Sequence, residues 1–393
     1  MKASTSLWGL AFGGALALAV GQGIGRFAYT PILPPMAEAL GMSRGTAGLI
    51  ASANFLGYLL GAMLASTPWL GGARRRWMLV GLATSGLTTA AMGITTSVPV
   101  FLALRFLGGG ASAVLLVLAS TLVLDRLASA GRARLGDMLF TGIGAGIAFS
   151  AGFVALLLAD GTGWRGLWYA CGLVSLASLP LVAWLIPTPP EMPKPVQTKS
   201  GALGSKRWPP GWKRLLASYG FFGLGYVVTA TFIVAMVRET PETRALEPFV
   251  WLLTGLSAIP SLPFWMRMGR DLGLTRALAL TNLAEALAVA AAVLLPGKLG
   301  MLLSAVGLGW TLLGITALGL MAARQLAGSL SPDHMRRGVG LMTASFGLGQ
   351  IIGPLIAGVL GDATGGFTVP VIGAACALLI AAGLAMWMPE PRR

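Results

Sequence analysis

Charged residues are scarce in this chain of 393 residues. They make up 10% of the sequence, whereas soluble globular proteins carry about 25%. Hydrophobic residues make up 55%, and the mean hydropathy is +0.79. This composition argues against a water-soluble enzyme and indicates a protein for which the lipid bilayer is the solvent.

Side chains that carry metal or covalent chemistry are also rare. There are two cysteines, Cys171 and Cys376, both inside apolar runs, and one histidine, His334. A disulfide framework and an HExxH zinc motif are therefore excluded. The single Gly-Lys pair is followed by Leu299, so the chain has no phosphate-binding P-loop and an ATP-driven pump is disfavoured. We expect neither a metal nor a cofactor.

Long apolar runs separated by short polar stretches fill most of the chain. A membrane helix needs about 20 mostly apolar residues, since 30 Å of hydrocarbon is crossed at 1.5 Å per residue. Barrel strands are shorter than these runs, and a helix pairs its backbone amides within its own segment. The first run could pass for a signal peptide, but it continues past Gly21 and many similar runs follow. The sequence predicts an all-α membrane protein with twelve spans, at about 7–33, 45–67, 77–97, 98–124, 135–159, 164–187, 212–237, 247–268, 274–295, 298–323, 337–361 and 366–388.

Basic residues concentrate on one side of this topology. Twenty-one lysines and arginines fall on the side that carries both termini, and five fall on the opposite side. The positive-inside rule then places both termini in the cytoplasm, and a bacterial inner membrane is the expected location. Topology and anionic lipid account for the net charge of +15, so we expect membrane lipid but no nucleic acid as a partner. We expect the protein to be a monomer.

The chain divides into two similar halves. A segment rich in proline and lysine, assigned to 191–211 as a cytoplasmic linker, separates a bundle at 1–190 from a bundle at 212–393. Two parallel repeats of six helices predict a solute site near the midplane between the halves and transport by rocking of one half against the other. When the end of the first half is shifted by 202 residues onto the second half, Asp160 aligns with Asp362. When the start of the first half is shifted by 200 residues, Arg26 aligns with Tyr226. The same shift aligns three identical residues, which are Gly23, Gly25 and Met36 with Gly223, Gly225 and Met236.

Two arginines lie inside predicted spans, where a charge costs about 3 kcal/mol on insertion scales and requires partners or water. Gln22, Arg26 and Tyr29 are spaced by four and three residues and would form one polar stripe on span one. Arg26 and Arg105 lie at similar depths, which favours a positive cavity and an anionic solute. Alternatively, each arginine pairs with a helix carbonyl or a carboxylate and holds the bundle together.

Other candidate solute ligands are polar or aromatic. Tyr226 would face Arg26 across the pseudo-two-fold axis and hydrogen-bond a solute, or it is an ordinary core tyrosine. Weaker candidates, which plain packing would also explain, are Asn54, Tyr58, Trp251, Trp310 and Gln350.

Glu285 is the only carboxylate that the span assignment places near the midplane. A carboxyl group removed from water takes up a proton more readily, so Glu285 could couple transport to a proton gradient. Asn282 on the same helix face favours a structural polar contact instead. Both interpretations stay open.

Several segments resemble motifs of the major facilitator superfamily, and the resemblance covers the whole chain. GGARRRWML, from Gly71, resembles the basic loop motif of that superfamily, and GRDLGLTR corresponds to it in the second half. RFLGGGASA, from Arg105, resembles the span-four motif whose arginine is associated with proton coupling. GQIIGPLIAG in span eleven resembles the glycine-proline motif, and GIGRFAYTPILPPM and GYVVTATF are similar to the YbfB/YjiJ branch.

This resemblance implies a major facilitator fold of two pseudo-symmetric six-helix bundles. It implies proton coupling through Arg105 and a role in conformational change for Arg74, Arg75, Asp271, Gly353 and Pro354. We expect a secondary active transporter, not an enzyme, that moves a small organic anion by alternating access coupled to protons. One alternative is efflux of hydrophobic or cationic drugs, although mid-membrane acids are scarce. Another is a membrane-embedded sensor or enzyme, although the sequence shows neither an output domain nor clustered catalytic groups.

Overall fold

Helices that are long enough to cross a membrane make up most of the protein. The computed structural model describes residues 6–188, 208–328 and 332–390. In this part of the chain, eleven helices are long and apolar enough to span a bilayer. A twelfth helix, Arg74–Ala91, has 18 residues and begins with three arginines, which lower its hydropathy. The predicted linker lies largely outside the described residues, and the bounds of the two bundles stay a prediction.

Each predicted span coincides with a helix. Spans one to six are Leu7–Leu18 with Tyr29–Leu40, then Arg44–Ala65, Arg74–Ala91, Val98–Ser129, Asp137–Ala159, and Trp164–Ala177 with Leu179–Leu185. Spans seven to twelve are Trp212–Glu239, Glu247–Leu272, Leu274–Leu294, Gly297–Gly328, Pro332–Thr364 and Thr368–Met386. The membrane face at which span one begins is here called the terminal face. The opposite face is called the far face.

Span one extends beyond its predicted end at residue 33. The prediction stopped before Pro34 and Pro35, but the helix continues to Leu40. It ends at Gly41, which adopts φ 60°, a left-handed conformation that glycine adopts without steric cost. Proline therefore did not mark the helix end here; a glycine C-cap did.

The two halves meet along three pairs of spans. Span two packs against span eleven, span five against span eight, and span one against span seven. Small residues allow close approach: a Cβ atom at Gly48 would overlap the carbonyl of Pro354, and one at Gly353 would contact span seven. Two of the residues assigned to a conformational motif, Gly353 and Pro354, thus lie where span eleven packs on its neighbours.

Polar contacts between the halves cluster toward the far face. Thr30 donates its hydroxyl to the carbonyl of Ala230 at 2.7 Å, and Ser52 donates to the carbonyl of Ile351 at 2.7 Å. Closer to the surface, Arg44 pairs with Glu239 at 2.8 Å. Among the described residues, no hydrogen bond joins the halves on the terminal side of Ser52. The far side is therefore the more tightly closed side of this conformation.

The backbone of span one departs from α-helical geometry at mid-depth. Ala19–Ile24 forms a π-helix, and the amides of Gly25 and Phe27 donate to the carbonyls of Val20 and Gln22, five residues earlier. Such turns occur often at functional sites. The spacing that predicted a continuous stripe from Gln22 to Tyr29 therefore does not apply.

Arg105 from span four is hydrogen-bonded to the backbone directly after this π-helix. Its guanidinium donates to the carbonyls of Gly25 at 3.2 Å and Arg26 at 3.0 Å, and it lies 4.9 Å from the ring centre of Tyr29. Asn54 donates in turn to the carbonyl of Arg105 at 2.9 Å. Arg105 therefore follows the second alternative given above, in which the arginine pairs with helix carbonyls and holds the bundle together. Contact of Arg105 with solute or proton stays a prediction.

Removal of the hydrogen bonds between Arg105 and span one should destabilise the fold. We expect Arg105→Met to lower the thermal unfolding midpoint of the detergent-purified protein by several degrees, because hydrogen bonds to a charged group contribute about 1.5–3 kcal/mol each. Arg165→Met is the matched control, since Arg165 also donates to two carbonyls, at 2.8 and 3.1 Å, but near the far-face surface, where water can replace it. Equal unfolding midpoints for the two variants would contradict the assigned role.

Candidate functional site

Arg26 lies at the junction of the two halves, surrounded by aromatic rings. Its guanidinium carbon is 4.0 Å from the ring centre of Tyr58, 4.8 Å from that of Phe55 and 5.2 Å from that of Phe27. Arg26 is 6% exposed, and its Nε and one terminal nitrogen have no hydrogen-bond partner. No described carboxylate forms an ion pair with it. A buried guanidinium with open donors is suited to bind an oxygen anion.

The second half presents an aromatic surface built around Tyr226. The Tyr226 ring stacks on Phe222 at 5.0 Å and on Phe346 at 5.7 Å between ring centres. The Tyr226 hydroxyl is hydrogen-bonded to the side-chain amide of Gln350, whose Oε1 has no partner among the described residues. This surface can stack against a planar group and accept a hydrogen bond.

Tyr226 occupies the position that the repeat places opposite Arg26. Arg26 and Tyr58 both interact electrostatically with Tyr226 across the boundary between the halves. On the far-face side of this group, Phe27 packs on Trp251 of span eight with ring centres 6.0 Å apart. We call Arg26, the three rings around it, Tyr226 and its ring partners, and Gln350 the aromatic cage.

Sequence reasoning missed four phenylalanines of the cage, which are Phe27, Phe55, Phe222 and Phe346. A signal was present for two of them, because Phe55 lies three residues before Tyr58 and Phe222 four residues before Tyr226. Residues at these spacings share a helix face. Phenylalanine is common in apolar runs, so these residues do not stand out from the spans that contain them.

Three predicted solute ligands have their side-chain donors engaged within the first half. Gln22 donates to the carbonyl of Ser112 at 3.0 Å, and Tyr29 donates to the carbonyl of Ala47 at 2.9 Å. Asn54 donates to Arg105, as described above. Their contact with a solute stays a prediction, and their observed bonds tie spans one, two and four together.

Trp310 lies in the second half, at the packing of spans eight and ten. Its ring centre is 5.0 Å from that of Phe264, and its carbonyl accepts the indole hydrogen of Trp265 at 2.7 Å. These contacts do not include a residue of the aromatic cage. A solute-binding role for Trp310 stays a prediction.

Glu285 is completely buried in span nine. Both of its carboxyl oxygens lack a hydrogen-bond partner among the described residues, and so does the side-chain oxygen of Asn282. Thr311 of span ten lies beside Glu285 but donates its hydroxyl to the carbonyl of Gly307 at 2.8 Å. Glu285 has only a weak electrostatic interaction with Tyr226 of the aromatic cage.

The other residues assigned to conformational motifs lie near the terminal face. Arg75 donates to two carbonyls at the end of span six, both at 2.7 Å, and the neighbouring Arg74 is exposed. Asp271 pairs with Arg267 at 3.6 Å on the surface. These contacts stabilise helix ends within one half, and a role in conformational change stays a prediction.

Comparison with known proteins identifies the family. A family model described as "Uncharacterised MFS-type transporter YbfB" matches residues 18–386. A gallate transporter of Pseudomonas putida is 29% identical over 156 residues, which are 40% of this chain and 34% of that protein. The matched part therefore spans about a third of the length of that relative.

Solved structures show the same fold. The nucleoside transporter NupG superposes with a TM-score of 0.70 at 14% identity, covering 97% of this chain and 96% of that chain. A mutant of NupG superposes with a TM-score of 0.71 at 16% identity, covering 96% and 97%. The expected all-α fold is thus confirmed. The family model confirms the expectation of a multi-pass membrane transporter rather than an enzyme. The chain belongs to the major facilitator superfamily, in the family of YbfB-type transporters.

Proposed function

We propose that this transporter carries a small organic anion, and that aromatic carboxylates are its substrate class. The observation that carries the proposal is the Arg26 guanidinium, which is buried among rings with two nitrogens unpartnered. A carboxylate can accept two parallel hydrogen bonds from a guanidinium. It would also neutralise a charge that is costly within the membrane.

The rest of the aromatic cage favours a planar substrate. Tyr226, Phe222 and Phe346 form a stack of rings in the second half. A planar substrate that joined this stack would gain about 0.5–1.5 kcal/mol per ring pair. Gln350 adds an unpartnered oxygen that can accept a hydrogen bond from a substrate hydroxyl. The relative described as a gallate transporter carries an aromatic carboxylate, which agrees with this chemistry.

A cationic drug fits this site poorly. It would meet the unpaired positive charge of Arg26, and the described residues place no carboxylate beside that charge. Like charges at short distance in a medium of low dielectric repel strongly. Efflux of cations is therefore the weaker candidate.

We further propose that the terminal face is the cytoplasmic face of a bacterial inner membrane and that a single chain is the working unit. The charge bias of the loops supports the orientation. The aromatic cage and the contacts between the halves all lie within one chain, so no second copy is needed to complete the site. On this orientation, the conformation described is closed toward the outside.

We also propose that transport is coupled to protons through Glu285. A carboxylate without a partner is costly to bury, so in this conformation the side chain would carry a proton. Its electrostatic interaction with Tyr226 would couple loss of that proton to the aromatic cage. Arg105 would act indirectly, by holding the backbone of Arg26 in place.

Substitution of Arg26 tests the substrate class. We expect gallate and benzoate, measured by titration calorimetry on purified protein, to bind Arg26→Gln about 10–100-fold more weakly than the unchanged protein. This is the effect of losing one or two hydrogen bonds to a charged group. Arg165→Gln is the control and should bind as the unchanged protein does. Equal binding to Arg26→Gln, or stabilisation of the unchanged protein by lipophilic cations alone, would reject an anionic substrate.

Substitution of Glu285 tests proton coupling. In liposomes with an imposed pH gradient, we expect Glu285→Gln to lose gradient-driven accumulation of substrate while substrate exchange without a gradient persists. The reason is that glutamine keeps the size of the side chain but cannot release a proton. Glu242→Gln, at an exposed far-face loop, is the matched control. An unchanged gradient response in Glu285→Gln would remove this residue from the proton path.

A further inference from the structure

A carboxylate joins two helix ends on the terminal face of the second half. Glu390 follows span twelve, and its Oε1 accepts the amides of Thr275 at 3.1 Å and Arg276 at 3.4 Å, at the start of span nine. The hydroxyl of Thr275 donates to the same oxygen. An anion at the first turn of a helix is favoured by the free amides and by the helix dipole. The second half thus supplies its own negative charge at this helix end.

The first half has no acidic residue at the equivalent position. Span three begins at Arg74 and span nine at Leu274, a shift of 200 residues, and the shift of 202 aligns Thr188 with Glu390. Thr188 is exposed, and within the described residues no side chain caps the start of span three. The same helix end is therefore present in the first half without a carboxylate of its own.

Two arginines lie at this place in the first half. Arg75 of span three donates to two carbonyls at the end of span six, and Arg126 of span four donates to the carbonyl of Pro187, all at 2.7 Å. Pro187 directly precedes Thr188. The two guanidinium groups are close enough to repel each other electrostatically.

The positive charge of these arginines exceeds what the neighbouring backbone can balance. The C-terminal end of a helix carries about half an elementary negative charge, whereas the two guanidinium groups carry two positive charges. No described carboxylate forms an ion pair with Arg75 or Arg126, and the Nε of Arg126 is shielded from solvent without a hydrogen-bond partner. Arg74 and Arg76 are exposed and add to the positive charge. An external anion such as a phosphate group would complete the site.

The surroundings of this site fit a lipid headgroup better than a soluble anion. Trp184 lies in the sequence between the two carbonyls that accept Arg75, and it is 64% exposed. Trp77 at the start of span three and Trp69 before it are 42% and 86% exposed. Tryptophan rings at the ends of membrane spans lie at the depth of the headgroups. Acyl chains of a phospholipid would pack against these rings, whereas a soluble anion would leave them uncovered.

We propose that Arg75, Arg126 and the start of span three bind the phosphate of an anionic phospholipid. The phosphate takes the role in the first half that Glu390 has in the second half, and it ties spans three, four and six together on the terminal face. The inference does not depend on the transported substrate or on proton coupling.

The variant Thr188→Glu tests the proposal, because it gives the first half the carboxylate that the second half already has. The measurement is native mass spectrometry of the purified protein titrated with phosphatidylglycerol. We expect the tightest-bound lipid to bind Thr188→Glu and Arg126→Gln each about tenfold more weakly than the unchanged protein. The new carboxylate competes with the phosphate in the first variant, and a charge-assisted hydrogen bond is lost in the second. Lipid binding to Thr188→Glu as tight as to the unchanged protein would overturn the proposal.

Two controls separate this site from general attraction of anions to a basic surface. Arg134→Gln lowers the net charge by one, as both test variants do, but at an exposed position of the same face, and should bind the lipid as the unchanged protein does. Inorganic phosphate should not displace the bound lipid. Equal weakening by Arg134→Gln, or displacement of the lipid by inorganic phosphate, would overturn a specific phospholipid site.

Thermal unfolding gives a second measurement. Phosphatidylglycerol should raise the unfolding midpoint of the unchanged protein more than phosphatidylcholine does, because a ligand that binds the folded state stabilises it. Thr188→Glu should lose most of this difference between the two lipids, since its own carboxylate occupies the site. A difference as large in Thr188→Glu as in the unchanged protein would also overturn the proposal.

Discussion

The structure depends on one constraint: a guanidinium within the membrane must have its charge compensated by protein, lipid or substrate. Arg105 meets this requirement with two backbone carbonyls, whereas Arg26 is given only ring faces. Cation–π contacts contribute about 2 kcal/mol when desolvated, and hydrogen bonds to a charged group contribute about 1.5–3 kcal/mol each. The rings therefore make burial of Arg26 tolerable but leave its hydrogen-bonding capacity unused. The anionic substrate proposed above would accept the hydrogen bonds that the fold leaves unused.

The irregular backbone of span one links the two arginines. The π-helix at Ala19–Ile24 and the lack of an amide hydrogen on Pro31 disturb the regular ladder, and the amide of Thr30 donates to the carbonyl of Phe27 instead of that of Arg26. The carbonyl of Arg26 is thereby open to Arg105. A regular helix would have satisfied its own carbonyls and left Arg105 without these partners. The local departure from α-helical geometry thus anchors one buried cation and fixes the position of the other.

Much of this architecture could be predicted from the sequence, because membrane spans and repeats are signalled by local composition and fixed shifts. Arg26 stood out for the same reason, as a charge in an apolar run. The polar stripe through Gln22 and Tyr29 rests on a spacing of 3.6 residues per turn, which the π-helix at Ala19–Ile24 does not keep. Phe346 and the bond of the Arg44 amide to Asp362 were missed because they join distant parts of the chain, 318 residues apart in the latter case. No periodicity within a single helix reports such pairs.

The departures from two-fold symmetry indicate how such a protein can alternate. The cage places an arginine in one half and a tyrosine at the equivalent position of the other. On the far face, the carboxylate of Asp362 accepts the amides of Arg44 and Gly45, whereas the equivalent Asp160 makes no such contact among the described residues. A shift from 1:99 to 99:1 between two conformations requires about 5.5 kcal/mol. Two or three charge-assisted hydrogen bonds reach that figure at about 1.5–3 kcal/mol each. Contacts of this kind on both sides of the axis would therefore be difficult to break with the binding free energy of a small substrate. Contacts that close only one side of the axis keep the two conformations closer in free energy, so that a modest binding free energy can change their populations.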